Sequence, residues 1–152
     1  MKYTIGEVSE MFDMPISTLR YYDAEGLFPG MERINGKRCF QEKELETLRI
    51  INCLKQSGLE IKDIQQFIKW TQEGSDTYEK RLKLLQKRKT LLCAQIEEMQ
   101  KSLAMLEYKC WYYETALKDG SEDGVKQLLP DHLPEDIQNF YDAAHSDPLP
   151  RS

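Results

Sequence analysis

One periodic run limits what this chain can fold into. Leu82, Leu85, Leu92, Ile96, Met99, Leu103, Leu106, Cys110, Tyr113 and Leu117 alternate at spacings of three and four, and only Lys89 interrupts them. About five heptads of this kind indicate a coiled coil rather than the outer helix of a globular domain. A single helix cannot bury such a seam, and the simplest partner is the same helix of a second copy. The spacing leaves the strand orientation open. Asp76 and Glu79 have the separation of a capping pair, so the long helix is expected to begin at Ser75-Asp76. It is expected to end near Lys118, with Gly120 as the stop.

The chain before this run reads as a small helical domain. Thr4 and Glu7 form a capping box for a first helix. Ile5, Val8 and either Met11 or Phe12 lie on one of its faces. Asp13-Met14-Pro15 breaks it, and Pro15 suits the first position of a second helix because its missing N–H is no loss there. In that second helix Ile16, Leu19 and either Tyr22 or Ala24 face inward, which leaves Ser17, Thr18, Arg20 and Tyr21 outward. Gly26 ends it. Two short helices at a tight turn have the layout of a helix-turn-helix, whose second helix enters the DNA major groove. Arg33, Lys37 and Arg38 then flank Asn35-Gly36, a strong hairpin signal. A third helix is expected from Glu42 to Gly58, with Leu45, Leu48, Ile51 and Leu54 inward. After a turn at Leu59-Glu60, a fourth carries Ile61, Ile64, Phe67 and Ile68 to about Trp70 and stops before Gly74. The expected organisation is a domain over residues 1–74, a coiled-coil helix over 75–118 and an acidic tail over 119–152. The fold class is all-α with a small β wing.

The net charge of −5 over 152 residues argues against nucleic acid only until it is divided. Residues 119–152 carry two basic and eight acidic side chains, so the acidity lies in the tail. Residues 33–38 carry three positive charges and no acid. Phosphate contact is local, so overall charge decides nothing here. The tail also holds Pro130, Pro134, Pro148 and Pro150. Residues 125–129 and 134–144 have the pattern of short helices, with Leu128, Leu129, Leu133, Ile137, Phe140 and Tyr141 to bury. Two readings stand: these helices dock on the coil or on a partner subunit, or the tail is acidic and partly disordered. No run of apolar residues is long enough to span a membrane, and MKYTIGEVSE has no apolar signal-peptide core, so a cytoplasmic location is expected.

At this point the chain resembles a known family. The segments TIGEVSEMF, STLRYYDAEGLF, the basic hairpin and ELETLRIINCLKQSGLEIKDI resemble the winged-helix DNA-binding domain of MerR-type transcription regulators. The likeness is close over about the first seventy residues and looser over the long helix. It implies antiparallel pairing of that helix in a two-fold homodimer, a second helix in the major groove of double-stranded DNA, and a wing on the flanking backbone. It further implies a pseudo-palindromic promoter site with an overlong spacer, distorted by the dimer so that RNA polymerase engages both promoter elements.

Candidate site residues follow. Arg20 can reach a guanine edge or a phosphate, and Thr18 and Tyr21 can donate to phosphate beside Ser17. The plain alternative pairs Arg20 with an acid and packs Tyr21 in the core. Arg33, Asn35, Gly36, Lys37 and Arg38 suit backbone contact, or are simply a solvated loop. Phe40 suits domain packing. The four cysteines show neither CxxC nor zinc-like spacing. Cys93 and Cys110 are expected to be small buried residues, and Cys39 to be half-exposed in the wing. Cys53, within RIINCLKQSGLEIKDI, and the stretch KCWYY at 109–113 resemble the family branch that answers aldehydes and other thiol-reactive electrophiles. Cys53 is therefore a candidate sensor, with Arg49 on its helical face; the alternative is packing. Metal-sensing relatives place two cysteines just beyond the dimerisation helix, where this chain has none, and His132 and His145 are a weak ligand signal. The tail is too short to enclose a sizeable ligand pocket. No phosphate loop, nucleophile elbow or HExxH motif supports an enzyme or a bound cofactor. Three further readings stay open: a constitutive regulator, a repressor without cysteine sensing, and a coiled-coil adaptor that binds no DNA.

Overall fold

A reciprocal capping box starts the first helix. Thr4 Oγ1 accepts from the Glu7 N–H at 3.3 Å, and the Glu7 carboxylate accepts from the Thr4 N–H at 2.7 Å. That hydrogen bond holds the Glu7 carboxyl below the usual carboxylate range. In this computed structural model, which describes residues 1–146, helix α1 spans Ile5–Met11 and α2 spans Ile16–Ala24. The expectations for Pro148 and Pro150 fall outside the described residues. The turn between the helices is pinned by Ser9, whose Oγ donates to the Met14 carbonyl and whose own carbonyl accepts from the Met14 N–H at 3.0 Å.

The described chain divides into two compact units, the first over residues 1–92 and the second beginning at Cys93. In the first, strands β1 (Glu32–Ile34) and β2 (Lys37–Cys39) form an antiparallel hairpin, followed by α3 (Glu42–Gln56) and α4 (Ile61–Glu73). A 3-10 turn (Ser75–Thr77) leads into α5 (Tyr78–Asp119). The inner faces of α1 to α4 meet in one core, in which Val8, Leu19, Leu27, Phe40, Leu48, Ile51 and Ile64 are fully buried. Phe28 and Phe40 meet edge to face at 5.5 Å. Gln65 of α4 donates to both the backbone carbonyl and the side chain of Glu25, which secures the end of α2.

Several expectations shift by a residue or a face. Pro15 is the N-cap of α2, not its first helical residue. Ile16 is exposed; the partly buried Phe12 and Met14 of the connecting turn pack against the core instead. Of the two pairs left open, Phe12 and Tyr22 are the inward members, while Met11 and Ala24 are exposed. The long helix is not anchored by Asp76 and Glu79. Thr77 is buried and donates to the carbonyls of Trp70 and Gly74, and Arg81 donates to the same two carbonyls at 2.9 and 2.8 Å. One threonine and one arginine thereby satisfy carbonyls that the end of α4 would otherwise leave without partners.

The second unit contains the later part of α5 with α6 (Asp123–Leu128) and α7 (Glu135–Ala144). Val125, Leu133 and Ile137 are buried against Tyr108 and Tyr112 of α5, with Leu128, Leu129 and Tyr141 partly buried beside them. Tyr108 meets Tyr141 edge to face at 5.0 Å, and burial pushes the Tyr108 phenol above its ordinary pKa. Over residues 119–146 the tail therefore docks on its own helix, as the first of the two readings expects. Many apolar residues of α5 stay uncovered. Leu82 and Leu85 in the first unit, and Ile96, Met99, Leu103, Leu106, Tyr113 and Leu117 in the second, are exposed large apolar residues. Cys93 and Cys110, expected to be buried, are exposed too; in the second unit the packed face of α5 is that of Tyr108 and Tyr112. No described helix is long and apolar enough to cross a membrane.

The α3–α4 turn makes one backbone demand. Gly58 has φ of 93°, and a Cβ there would lie 2.3 Å from Arg88 Nη2. Arg88, from α5, donates through Nε to the carbonyl of Ser57 beside it. We expect Gly58→Ala to lower stability by about 1–2 kcal/mol. The check is a urea titration in which the midpoint falls and the slope stays unchanged; an unshifted midpoint contradicts it.

Candidate nucleic-acid interface

The outward face of α2 is set by what its inward face must bury. With Leu19 and Tyr22 in the core, the helical repeat turns Ser17, Arg20 and Tyr21 to solvent, with Thr18 half-buried at the edge. Arg20 has no ion-pair partner among the described residues, although Asp23 stands three positions on, a spacing at which helical side chains are neighbours. Tyr21 is 47% exposed, so the core position falls to Tyr22, whose phenol is pushed up by burial. The exposed Ile16 adds an apolar group at the start of the same helix.

The wing is a two-residue hairpin. Asn35 and Gly36 have φ of 49° and 75°, the pair of positive values that a type I′ turn requires. The register places Arg33 directly opposite Arg38, and Ile34 opposite Lys37. Like charges in directly opposed positions repel. Here the repulsion is offset by a third residue. Asp23 Oδ2 accepts from Arg33 Nη2 at 2.8 Å and from Arg38 Nε at 2.7 Å. Asp23 is only 13% exposed, and its pair with Arg38 is partly buried, whereas Arg33 reaches it from solvent with 48% of its side chain exposed. The carboxylate belongs to α2, so one atom ties that helix to the wing.

The hairpin is also fastened to the N-terminus. Tyr3 and Phe40 exchange both backbone hydrogen bonds, at 2.8 and 2.9 Å. Lys2 pairs with Glu32 at 3.1 Å, which raises the lysine pKa and lowers that of the carboxyl. Cys39, expected to be half-exposed, is buried: exposure falls along β2 from Lys37 to Cys39 as the strand enters the domain. Phe40 is buried in the core as expected.

The predicted site residues fall into two groups. Ser17, Thr18, Arg20 and Tyr21 sit on α2, and Arg33, Asn35, Gly36, Lys37 and Arg38 on the hairpin, joined through Asp23. The sequence reading overlooked Asp23. The available signal was a carboxylate three residues after Arg20, within reach of a basic hairpin. Cys53 is apart from both groups, exposed on α3, where Arg49 of its own face pairs with Glu42 at 3.8 Å. No three His, Cys, Asp or Glu residues come together to hold a metal among the described residues. His145 instead stacks on Tyr141 at 4.0 Å.

Comparison with known proteins addresses what this face serves. Residues 3–69 match the MerR HTH family regulatory protein domain, and residues 45–108 match the MerR DNA-binding region. An HTH-type transcriptional regulator of Haemophilus influenzae is 38% identical over 136 residues, spanning 89% of this chain and 98% of that protein. The chain belongs to the MerR family. The crystal structure of HiNmlR, a MerR family regulator lacking the sensor domain and bound to promoter DNA, is similar with a TM-score of 0.70 and 38% identity. The match covers 82% of this chain and 99% of that one. A MerR family regulator from Bacillus thuringiensis is 41% identical with a TM-score of 0.64, over 72% of this chain and 97% of that one. This MerR-family chain is a DNA-binding transcription regulator, not an enzyme, and the adaptor reading is set aside.

The type I′ turn gives a local test. Valine at position 36 cannot adopt positive φ without strain. Gly36→Val is expected to unpair the hairpin while leaving the core intact. Amide hydrogen exchange should then speed up over residues 32–39 and stay slow in α3; unchanged protection of the hairpin contradicts the turn assignment.

Proposed function

We propose that the protein acts as a homodimer on a pseudo-palindromic promoter site. Each copy places Ser17, Thr18, Arg20 and Tyr21 in a major groove and sets Arg33, Asn35, Gly36, Lys37 and Arg38 against the flanking backbone. The observation that carries the reading is the exposed, unpaired Arg20 on a helix whose Asp23 holds two wing arginines. Helix and hairpin thus form one contiguous basic face. The homodimer is supported by the uncovered apolar residues of α5, several of which are more than half exposed in the single chain. Continuous burial of that seam needs a helix of matching period, and a second copy supplies one. As in the resemblance noted from the sequence, the dimer activates transcription by distorting the promoter so that RNA polymerase engages both of its elements. Action on promoter DNA fits a cytoplasmic location.

Arg20→Ala is expected to weaken binding to the promoter site about tenfold or more, and Lys87→Ala on α5 to change it little. Fluorescence anisotropy with labelled duplex checks this; equal losses contradict the reading helix. Binding should also weaken steeply with salt. For the dimer, Leu106→Asp should yield the monomer mass in light scattering, and a dimer that persists in this variant and in Leu103→Asp contradicts the seam.

A second reading concerns the signal. Cys53 is an exposed thiol on α3, as Cys93 and Cys110 are on α5, whereas Cys39 is buried; Cys110 lies on the proposed seam, and Cys53 stands in the segment that resembles the electrophile-responsive branch. We infer that Cys53 answers thiol-reactive electrophiles, its thiolate adding to the electrophilic carbon. Cys53→Ser should abolish induction in a reporter strain and leave operator binding unchanged; surviving induction overturns this inference.

A further inference from the structure

We propose that Asp23 is a positioning residue for DNA recognition: it acts through Arg33 and Arg38 to set the wing against the reading helix and to leave Arg20 free for the DNA. This rests on the DNA-binding reading above and adds to it a residue whose charge has the wrong sign for contact. A carboxylate within a phosphate-binding face repels the ligand, so its presence needs a compensating use.

Three observations supply one. First, both wing arginines reach the same oxygen, Oδ2, at 2.8 and 2.7 Å. Each guanidinium has five N–H donors. Each commits a single nitrogen to Asp23, so the remaining donors stay available for phosphate while the guanidinium itself is held. Second, Arg33 and Arg38 oppose each other across the hairpin, and a two-stranded ribbon with like charges in register is marginal alone. The carboxylate converts that repulsion into a bridge. Third, Asp23 follows Arg20 by three positions, a spacing at which the two would otherwise pair and withdraw Arg20 from the groove. In the structure the Asp23 carboxylate turns to the wing, and Arg20 makes no ion pair among the described residues. One side chain thus couples the element that reads base edges to the element that grips the backbone.

Simple charge counting and the positioning role predict opposite results for Asp23→Asn. Removing a negative charge from a basic face should tighten binding to any duplex. If Asp23 positions the arginines, binding to the specific site falls while binding to unrelated DNA holds or rises. The probe is the duplex that the wild-type protein enriches from a random-sequence pool, compared with a scrambled duplex of equal length and composition. We expect Asp23→Asn to bind the enriched duplex about tenfold more weakly and the scrambled one no more weakly, with a shallower salt dependence on the enriched duplex. In an Arg33→Gln/Arg38→Gln background, Asp23→Asn should cause no further loss on the enriched duplex, because its wing partners are gone. Retained scrambled-duplex binding and an unchanged thermal transition separate this outcome from misfolding. Tighter or equal binding of Asp23→Asn to the enriched duplex overturns the proposal and leaves the DNA-binding reading intact. So does a full additional loss in the double-arginine background, or a loss on both duplexes together with a lowered thermal transition. If the wild-type protein enriches no duplex, the DNA-binding reading falls and the proposal with it.

Discussion

The whole candidate DNA-facing surface depends on the burial of two side chains beneath it. Helices of seven and nine residues are too short to persist in water alone. Helix α2 exists because Leu19 and Tyr22 are buried with Leu48, Ile51, Ile64 and Phe40 in the core that α3 and α4 complete. The outward direction of Arg20 is a consequence of that burial, since a helix with Leu19 and Tyr22 inside has no other orientation to give it. The candidate reading residues are therefore as well positioned as the core beneath them, and the core is drawn from all four short helices of the domain. The same logic reaches the wing, whose second strand runs into the buried Cys39 and Phe40.

Electrostatics then does on the surface what burial does underneath. A two-stranded hairpin with no sheet to extend it is a weak element, and this one opposes two arginines. Its fixed points are the Tyr3–Phe40 backbone pair at one end, the Lys2–Glu32 pair beside it, and Asp23 across from the charged rungs. Of these, Lys2–Glu32 is largely solvated and contributes little. Asp23 is the shielded one. The ion pair that orders the wing is also the one that links it to α2, so ordering and positioning are a single event.

How much of this was legible in the sequence follows from how local each cause is. The capping box of Thr4 and Glu7, the type I′ turn at Asn35-Gly36, and the inward faces of α3 and α4 are written in adjacent or periodic residues, and the structure has them as expected. The misplacements share a different origin. Ile16 has the right period to face inward, but the residues that pack against the core there, Phe12 and Met14, come from the preceding turn, which periodicity does not address. Asp76 and Glu79 have capping spacing, yet Thr77 and Arg81 hold the start of the helix because the carbonyls to be satisfied belong to α4. Asp23 was overlooked for the same reason: its partners lie ten and fifteen residues away on another element. Local pattern reports which groups need partners, and only the fold reports which partners arrive.

The exposed cysteines show that limit most directly. A lone cysteine in a helix is expected to be a small buried residue, and in the single chain Cys93 and Cys110 are not. The expectation assumes that something covers the helix. In the second unit the tail covers the face of Ala104, Tyr108 and Tyr112, and it leaves the face of Leu103, Leu106, Cys110, Tyr113 and Leu117 open. Both faces are apolar, but they differ in kind. The covered one is aromatic and meets partners from its own chain through edge-to-face contacts. The open one is mainly aliphatic and spaced by alternating threes and fours, the pattern that another helix fits and an irregular tail does not. The chain thus spends its own tail on the face that lacks heptad geometry and leaves the heptad face for a helix of matching period.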